Sequence, residues 1–118
     1  MSMRVLVVDD DDLVRVVIKR ILTGCRVDTV ATGAEAIALH RTRPYPLALI
    51  DVNLGDATGP VLAIRLQQIA PLHVALVTAD ARPSGWDGDY VSKPFELTEI
   101  VGLLDRADPR RLMRRTPR

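Results

Sequence analysis

Five polar side chains that could do chemistry together stand at the ends of short apolar runs in this 118-residue sequence. They are Asp9 and Asp10, Asp51, Thr78, and Lys93. Carboxylate oxygens are hard ligands of the kind that Mg²⁺ prefers, whereas no cysteine or histidine pair lies near them to favour zinc. If the chain brings these residues together, they predict a magnesium site with an ammonium group beside it.

Apolar patterning predicts the elements that would position these side chains. Unbroken runs such as Val5 to Val8 are typical of strands buried on both faces of a parallel sheet, and apolar spacing of three and four residues is typical of helices. Strands are predicted at residues 5–8, 26–30, 47–50, 73–77 and 90–92. Apolar helical stripes are predicted at residues 13–22, 36–39, 61–69 and 97–107.

Helix boundaries have their own signals in this sequence. Asp11 or Asp12 is placed to cap the first helix, and Gly24 is placed to end it in a left-handed turn. The segment from Thr32 to Glu35 matches the reciprocal capping pattern that opens a helix.

Strands that alternate with helices predict a parallel sheet with helices on both faces. In such a sheet, ligands bind beyond the carboxyl ends of the strands, so the five polar residues should converge on one edge. Three carboxylates at short range repel one another, and the cluster therefore needs a counter-charge. Lys93 is one candidate, and a divalent cation is another.

Four ordered motifs contain these residues. They are Val8-Asp9-Asp10, Leu49-Ile50-Asp51-Val52-Asn53-Leu54, Val77-Thr78-Ala79 and Tyr90-Val91-Ser92-Lys93-Pro94-Phe95. Together they resemble the receiver domain of two-component response regulators, and the resemblance spans roughly residues 4 to 107. It implies an α/β, flavodoxin-like fold with a doubly wound five-stranded parallel sheet in the order 2-1-3-4-5.

The resemblance also implies roles for single residues. Asp51 would accept a phosphoryl group from a histidine kinase or phosphotransfer protein, forming an aspartyl phosphate. Magnesium would be held by Asp9 or Asp10, by Asp51, and by the backbone carbonyl of Asn53. The remaining roles fall to three residues: Lys93 would neutralise phosphoryl charge, Thr78 would hydrogen-bond a phosphoryl oxygen, and Tyr90 would change its packing as part of a switch.

The sequence departs from the family pattern between Thr78 and Tyr90. Only eleven residues, including one proline and two glycines, lie where the family usually places a full helix. The segment is near the minimum length for a parallel crossover, and it has no apolar stripe. We therefore expect the fourth helix to be absent or shortened to about one turn. Trp86 would then either pack over the exposed sheet or bind a partner.

Other interpretations of the same residues remain open. The acidic run from Asp9 to Asp12 could serve only to cap a helix. A phosphohydrolase of the haloacid-dehalogenase type also uses an aspartate after a strand, but its Asp-x-Asp motif would have Asn53 at the second position, and the length leaves no room for a cap domain. A third possibility is a receiver-like interaction module that works without phosphorylation.

Length, charge distribution and cysteine content indicate the domain organisation and the compartment. We expect a receiver domain at residues 1–107 and a basic tail at residues 108–118, whose arginines could contact nucleic acid although a solvated end is the simpler interpretation. The lone Cys25 permits no internal disulfide, and no apolar run approaches the length of a membrane span. A cytoplasmic protein with no membrane contact is therefore expected, and the sequence does not identify its downstream protein target.

Overall fold

The computed structural model describes residues 3–79 and 83–108 of the chain. Five strands and four helices, numbered here in chain order, alternate along most of its length. The strands are β1 (Arg4–Val8), β2 (Arg26–Val30), β3 (Leu47–Asp51), β4 (His73–Thr78) and β5 (Asp89–Ser92). The helices are α1 (Asp12–Ile21), α2 (Gly33–Thr42), α3 (Gly59–Ile69) and α4 (Leu97–Ala107).

The strands form one parallel sheet in the order β2-β1-β3-β4-β5. The predicted fold class and strand order are therefore confirmed. β3 lies at the centre with β1 and β4 on either side, and its residues 47 to 50 are all buried, as expected for a parallel strand covered on both faces. This arrangement places the carboxyl ends of β1, β3 and β4 side by side.

Two apolar clusters cover the two faces of the sheet, so the fold is doubly wound. One cluster joins the sheet to α1 and α4 through Ile18, Ile100 and Leu103. The other joins it to α2 and α3 through residues that include Ala36 and Leu62. Alternate residues of β1, β3 and β4 supply the two clusters, as the two-residue period of a strand requires.

Local hydrogen bonds define where the helices begin. Asp11, rather than Asp12, is the N-cap of α1, and its carboxylate accepts from the amides of Leu13 and Val14. Thr32 caps α2, accepting from the amide of Glu35 at 3.2 Å. These caps fix the starts of the helices where the sequence predicted them, although the Glu35 carboxylate accepts from the Thr32 hydroxyl at 3.0 Å, so the reciprocal half of the capping pattern is not formed as expected.

One expectation for the end of α1 was wrong. Gly24 does not have a positive φ, because the chain closes its turn with a hydrogen bond from the amide of Cys25 to the carbonyl of Leu22. The predicted apolar stripe is present, but it is only partly buried. Ile18 and Leu22 lie in the core, whereas Leu13 is 69% exposed and Val17 is 38% exposed.

The connection between β4 and β5 is short. Its described residues, Ala79 and 83–88, contain no helix, and a turn closed by the amide of Trp86 on the carbonyl of Pro83 stands in that place. Trp86 is half-buried, packs against the cluster on the α2 and α3 face, and donates from Nε1 to the carbonyl of Asp89 at 2.8 Å. The expected loss of the fourth helix and the packing role of Trp86 are confirmed for these residues.

None of the helices in residues 3–79 and 83–108 is long and apolar enough to cross a bilayer. The predicted basic tail from residue 109 onward lies outside the described residues, so the domain boundary at residues 107 and 108 stays a prediction.

Candidate functional site

The ends of β1 and β3 bring three carboxylates together. Val8 pairs with Ile50 in the sheet, so the residues that follow them emerge at the same level. One carboxylate oxygen from each of Asp9, Asp10 and Asp51 lies within 4.8 Å of the others. The spacing is suited to shared coordination of one small cation.

Asp9 is the most buried member of this cluster. Its side chain is 2% exposed, and its Oδ1 accepts a hydrogen bond from the amide of Asp11 at 2.9 Å. Its Oδ2 is buried and accepts no hydrogen bond of good geometry from the described residues. The Lys93 ammonium, 3.2 Å away, offsets part of the cost of burying this oxygen, and a bound cation would offset more of it.

Lys93 provides the positive charge of the cluster. Its Nζ lies 3.2 Å from Asp9 Oδ2 and 3.6 Å from Asp51 Oδ1. The backbone amide of Lys93 donates to the carbonyl of Thr78 at 2.6 Å, which anchors the end of β5 to the end of β4. Burial would lower the pKa of Lys93, but the charges of Asp9 and Asp51 outweigh that effect and raise it, so the ammonium stays protonated.

The charges in this cluster do not balance. Among the described residues, three carboxylates face one ammonium group, and burial together with the charge of Asp9 raises the pKa of Asp51 even though Lys93 acts in the opposite direction. The excess negative charge, the three converging oxygens and the exposed position of Asp10 fit a hard divalent cation that keeps part of its shell open. The donor set therefore fits magnesium.

The loop after β3 begins at the same edge. Asn53 is exposed there, two residues after Asp51. The amide of Gly59 donates to the carbonyl of Val52 at 2.7 Å, and the amide of Leu54 donates to the carbonyl of Ala57 at 3.0 Å. These bonds fold the loop on both sides of Asn53, whose predicted role as a carbonyl ligand stays a prediction.

Thr78 and Tyr90 lie on one face of the sheet. Thr78 ends β4 and is 5% exposed, whereas Tyr90 in β5 is 36% exposed and pairs with Leu76, two residues before Thr78. Residues two apart in a strand share a face, so the two side chains project from the same side. Their proposed switch role stays a prediction.

Sequence reasoning missed two residues around this cluster. Arg15 donates from Nη1 to the carbonyl of Asp9 at 2.6 Å and also pairs with Asp12. Asp56 binds the first two amides of α2, 22 and 23 residues away in the sequence. The spacing of Arg15 from Asp12 is a helical ion-pair signal, but no local pattern indicates the partners of Asp56.

A family model described as the response regulator receiver domain matches residues 5–105 of the chain. The chain belongs to this family. The receiver domain is a signalling module of two-component systems rather than a classical enzyme, and this membership removes the phosphohydrolase alternative.

Two transcriptional regulators and one chemotaxis protein are similar to this receiver domain. TcrA of Mycobacterium tuberculosis is 36% identical over 98% of this chain, and NtrC of Klebsiella pneumoniae is 34% identical over 86% of it. The chain spans 48% and 24% of the length of those two relatives. The chemotaxis response regulator CheY4 of Vibrio cholerae superposes with a TM-score of 0.77 and 27% identity, covering 91% of this chain and 99% of CheY4.

Proposed function

We propose that this receiver domain accepts a phosphoryl group on Asp51 from a histidine kinase or phosphotransfer protein. One Asp51 carboxylate oxygen forms a bond to phosphorus while the bond from phosphorus to the donor imidazole nitrogen breaks. The observation that supports this best is the buried, hydrogen-bond-deficient Oδ2 of Asp9 beside Asp51 and Lys93. Such a cluster is poorly explained by stability alone, because its charges repel.

Each residue of the cluster has a distinct task in this proposal. Asp9, Asp10, Asp51 and the carbonyl of Asn53 would hold Mg²⁺, which supplies charge neutralisation for the phosphoryl oxygens when bound. Lys93 would hold its ammonium against the incoming phosphoryl group. Its raised pKa keeps that charge available at neutral pH.

The response would start at Thr78. Its hydroxyl would hydrogen-bond a phosphoryl oxygen, and the half-exposed Tyr90 on the same face would then repack. Because the described part of the β4–β5 connection has no helix, the changed surface would consist of β5 and the turn around Trp86. We propose that this surface meets a downstream protein target.

The exposed first turns of α1 support docking of the phosphodonor protein. Leu13, Val16 and Val17 are 69%, 47% and 38% exposed, and their spacing places them on one side of the helix. This apolar surface begins three residues after Asp10, next to the phosphoacceptor. A partner that covers it would bring its phosphohistidine to Asp51. The cytoplasm stays the predicted compartment, and nucleic acid contact through the tail stays a lesser prediction.

Incubation with acetyl phosphate and Mg²⁺, followed by intact-mass measurement, tests the proposal. The parent chain should gain one phosphoryl group, and the Asp51→Asn variant should gain none. Asp87→Asn, which changes an exposed acid in the β4–β5 connection, should behave as the parent. Addition that persists in Asp51→Asn, or that proceeds equally well in EDTA, contradicts the proposal.

The second candidate is a receiver-like interaction module that works without phosphorylation. The short β4–β5 connection favours it, because the altered face could bind a constant partner. The same mass measurement separates the two functions, since such a module would show no added phosphoryl group in the parent chain.

A further inference from the structure

The loop between β3 and α3, residues 52–58, folds back on itself as a narrow hairpin. Hydrogen bonds join Val52 to Gly59 and Leu54 to Ala57, Asn53 and Thr58 form an antiparallel bridge between them, and the side chain of Leu54 is buried in the core. Its tip is different, because Gly55 and Asp56 are both exposed. A further contact is needed to hold the tip in one orientation, because little free energy opposes the movement of a short exposed turn.

Asp56 makes that contact across the edge of the sheet. The amide of Gly33 donates to its Oδ1 at 2.9 Å, and the amide of Ala34 donates to its Oδ2 at 3.0 Å. Both oxygens thus bind the positive end of α2, where an anion is favoured. These hydrogen bonds lower the pKa of Asp56, so the carboxylate is ionised at neutral pH. A Cβ at Gly33 would lie 3.3 Å from Oδ1, so the glycine leaves room for this approach.

The contact does more than cap the helix. α2 already has a local N-cap, because Thr32 Oγ1 accepts from the amide of Glu35 at 3.2 Å. Asp56 instead comes from a distant segment that also contains Asn53, three residues before it. Two caps of different origin meet at one helix, and only that of Asp56 connects the helix to the loop beside Asp51.

We infer that Asp56 is a positioning residue, which holds the loop after β3 against α2 and thereby orients the Asn53 carbonyl for metal binding. The inference rests on the proposed function, because it assigns a task at the same magnesium site. Without the Asp56 contact, the tip would sample several orientations, and the metal would lose part of one prearranged ligand.

Magnesium titration by calorimetry, with stability measured in parallel in EDTA, tests this role. Asp56→Ala should weaken Mg²⁺ binding by roughly 3- to 10-fold, at or below the range for partners bound directly to a metal ligand. Asp56→Asn keeps one oxygen acceptor and should lie between Ala and the parent. Thr32→Ala is the matched control: it removes the other cap of α2 without touching the loop, so it should lower stability and leave Mg²⁺ affinity unchanged.

Hydrogen exchange in metal-free protein gives a readout that does not depend on magnesium. Asp56→Ala should speed exchange of the Leu54 amide in the loop, whereas Thr32→Ala should not. Parent-like Mg²⁺ affinity in Asp56→Ala, or an equal loss in Thr32→Ala, overturns the inference. If the parent itself binds no magnesium, the proposed function fails, and unchanged loop exchange in Asp56→Ala would separately overturn the holding role of Asp56.

Discussion

The two ends of the sheet carry charged clusters that are balanced in opposite ways. At the carboxyl end, Asp51 shares one ammonium group with two other aspartates, and its pKa is raised by burial and by Asp9. At the amino end, Asp89 in β5 has two basic partners: His73 Nε2 lies 2.6 Å and Arg106 Nε lies 2.9 Å from its Oδ2. Burial alone would raise the pKa of Asp89, but Arg106 and His73 outweigh it and lower it.

The difference indicates which cluster serves the fold and which serves a ligand. The Asp89 cluster joins the starts of β4 and β5 to α4 and leaves its acid neutralised. Within residues 3–79 and 83–108, the Asp51 cluster has more negative than positive charge, and a cation or a phosphoryl donor with its metal can use this excess. Strained electrostatics of this kind are typical of functional sites, where stability is given up for binding. Three substitutions test this comparison.

The largest effect is expected from Gly59→Ala, at the Asp51 edge. A Cβ at this glycine would lie 2.7 Å from the carbonyl oxygen of Asp51 and 3.0 Å from Cα of Val52. The backbone must shift to admit it, which should cost about 2 kcal/mol in the free energy of unfolding measured by urea denaturation. Such a loss would show that the carboxyl edge of the sheet, which carries unbalanced charge, has no room for even one added methyl group.

Gly55→Ala, in the same loop, is the control for that substitution. A Cβ at Gly55 meets nothing within 4 Å, so its effect should stay within about 0.5 kcal/mol. Equal losses for both alanine variants would show that the close approach at Gly59 does not limit the site.

Asp89→Asn should destabilise the domain by about 1 kcal/mol at pH 7, because it leaves His73 and Arg106 without their shared anion. The folded-state pKa of Asp89 is lowered, so its contribution is present above the unfolded-state value and is lost as pH falls through the folded-state value. The parent and the variant should therefore converge in strong acid. Asp87→Asn, at an exposed acid nearby, should show no such pH-dependent gap.

Asp51→Asn should have the smallest effect on stability, and it should raise stability where the other substitutions lower it. Without metal at pH 7, removing this charge should stabilise the domain by up to about 1 kcal/mol, because repulsion from Asp9 is relieved. The folded-state pKa of Asp51 is raised, so the advantage of the variant should grow as pH rises through that value and vanish below the unfolded-state pKa.

Thermal unfolding in EDTA across that pH range measures this effect. Added Mg²⁺ should then stabilise the parent more than Asp51→Asn. If Asp51→Asn is less stable than the parent in EDTA, the charge of Asp51 stabilises the fold as that of Asp89 does, and the contrast between the two clusters is wrong.

Most of the fold could be predicted from the sequence because its signals are local. The residue ranges of β2 and α4 agree with the predicted ones, since alternation and helical spacing directly reflect which side chains are buried. The convergence of Asp9, Asp51 and Lys93 followed from the rule that parallel strands end at one edge.

What could not be predicted depends on contacts between distant segments. Nothing near Asp56 indicates the amides of α2, and nothing near Asp89 indicates Arg106, because both pairs form only once the chain has folded. The wrong expectation for Gly24 has a related cause. A glycine after a helix allows a left-handed turn, but the chain used a different hydrogen bond to close this one.

The short β4–β5 connection makes intrinsic fluorescence a specific readout for this molecule. It contains the sole indole of the whole sequence, Trp86, stacked over Gly88 so closely that a Cβ there would lie 2.8 Å from the ring. All tryptophan emission therefore originates beside the start of β5, where the indole donates to the carbonyl of Asp89. The native chain is thus its own optical probe, and a change in emission on phosphorylation would report on that neighbourhood without any attached dye.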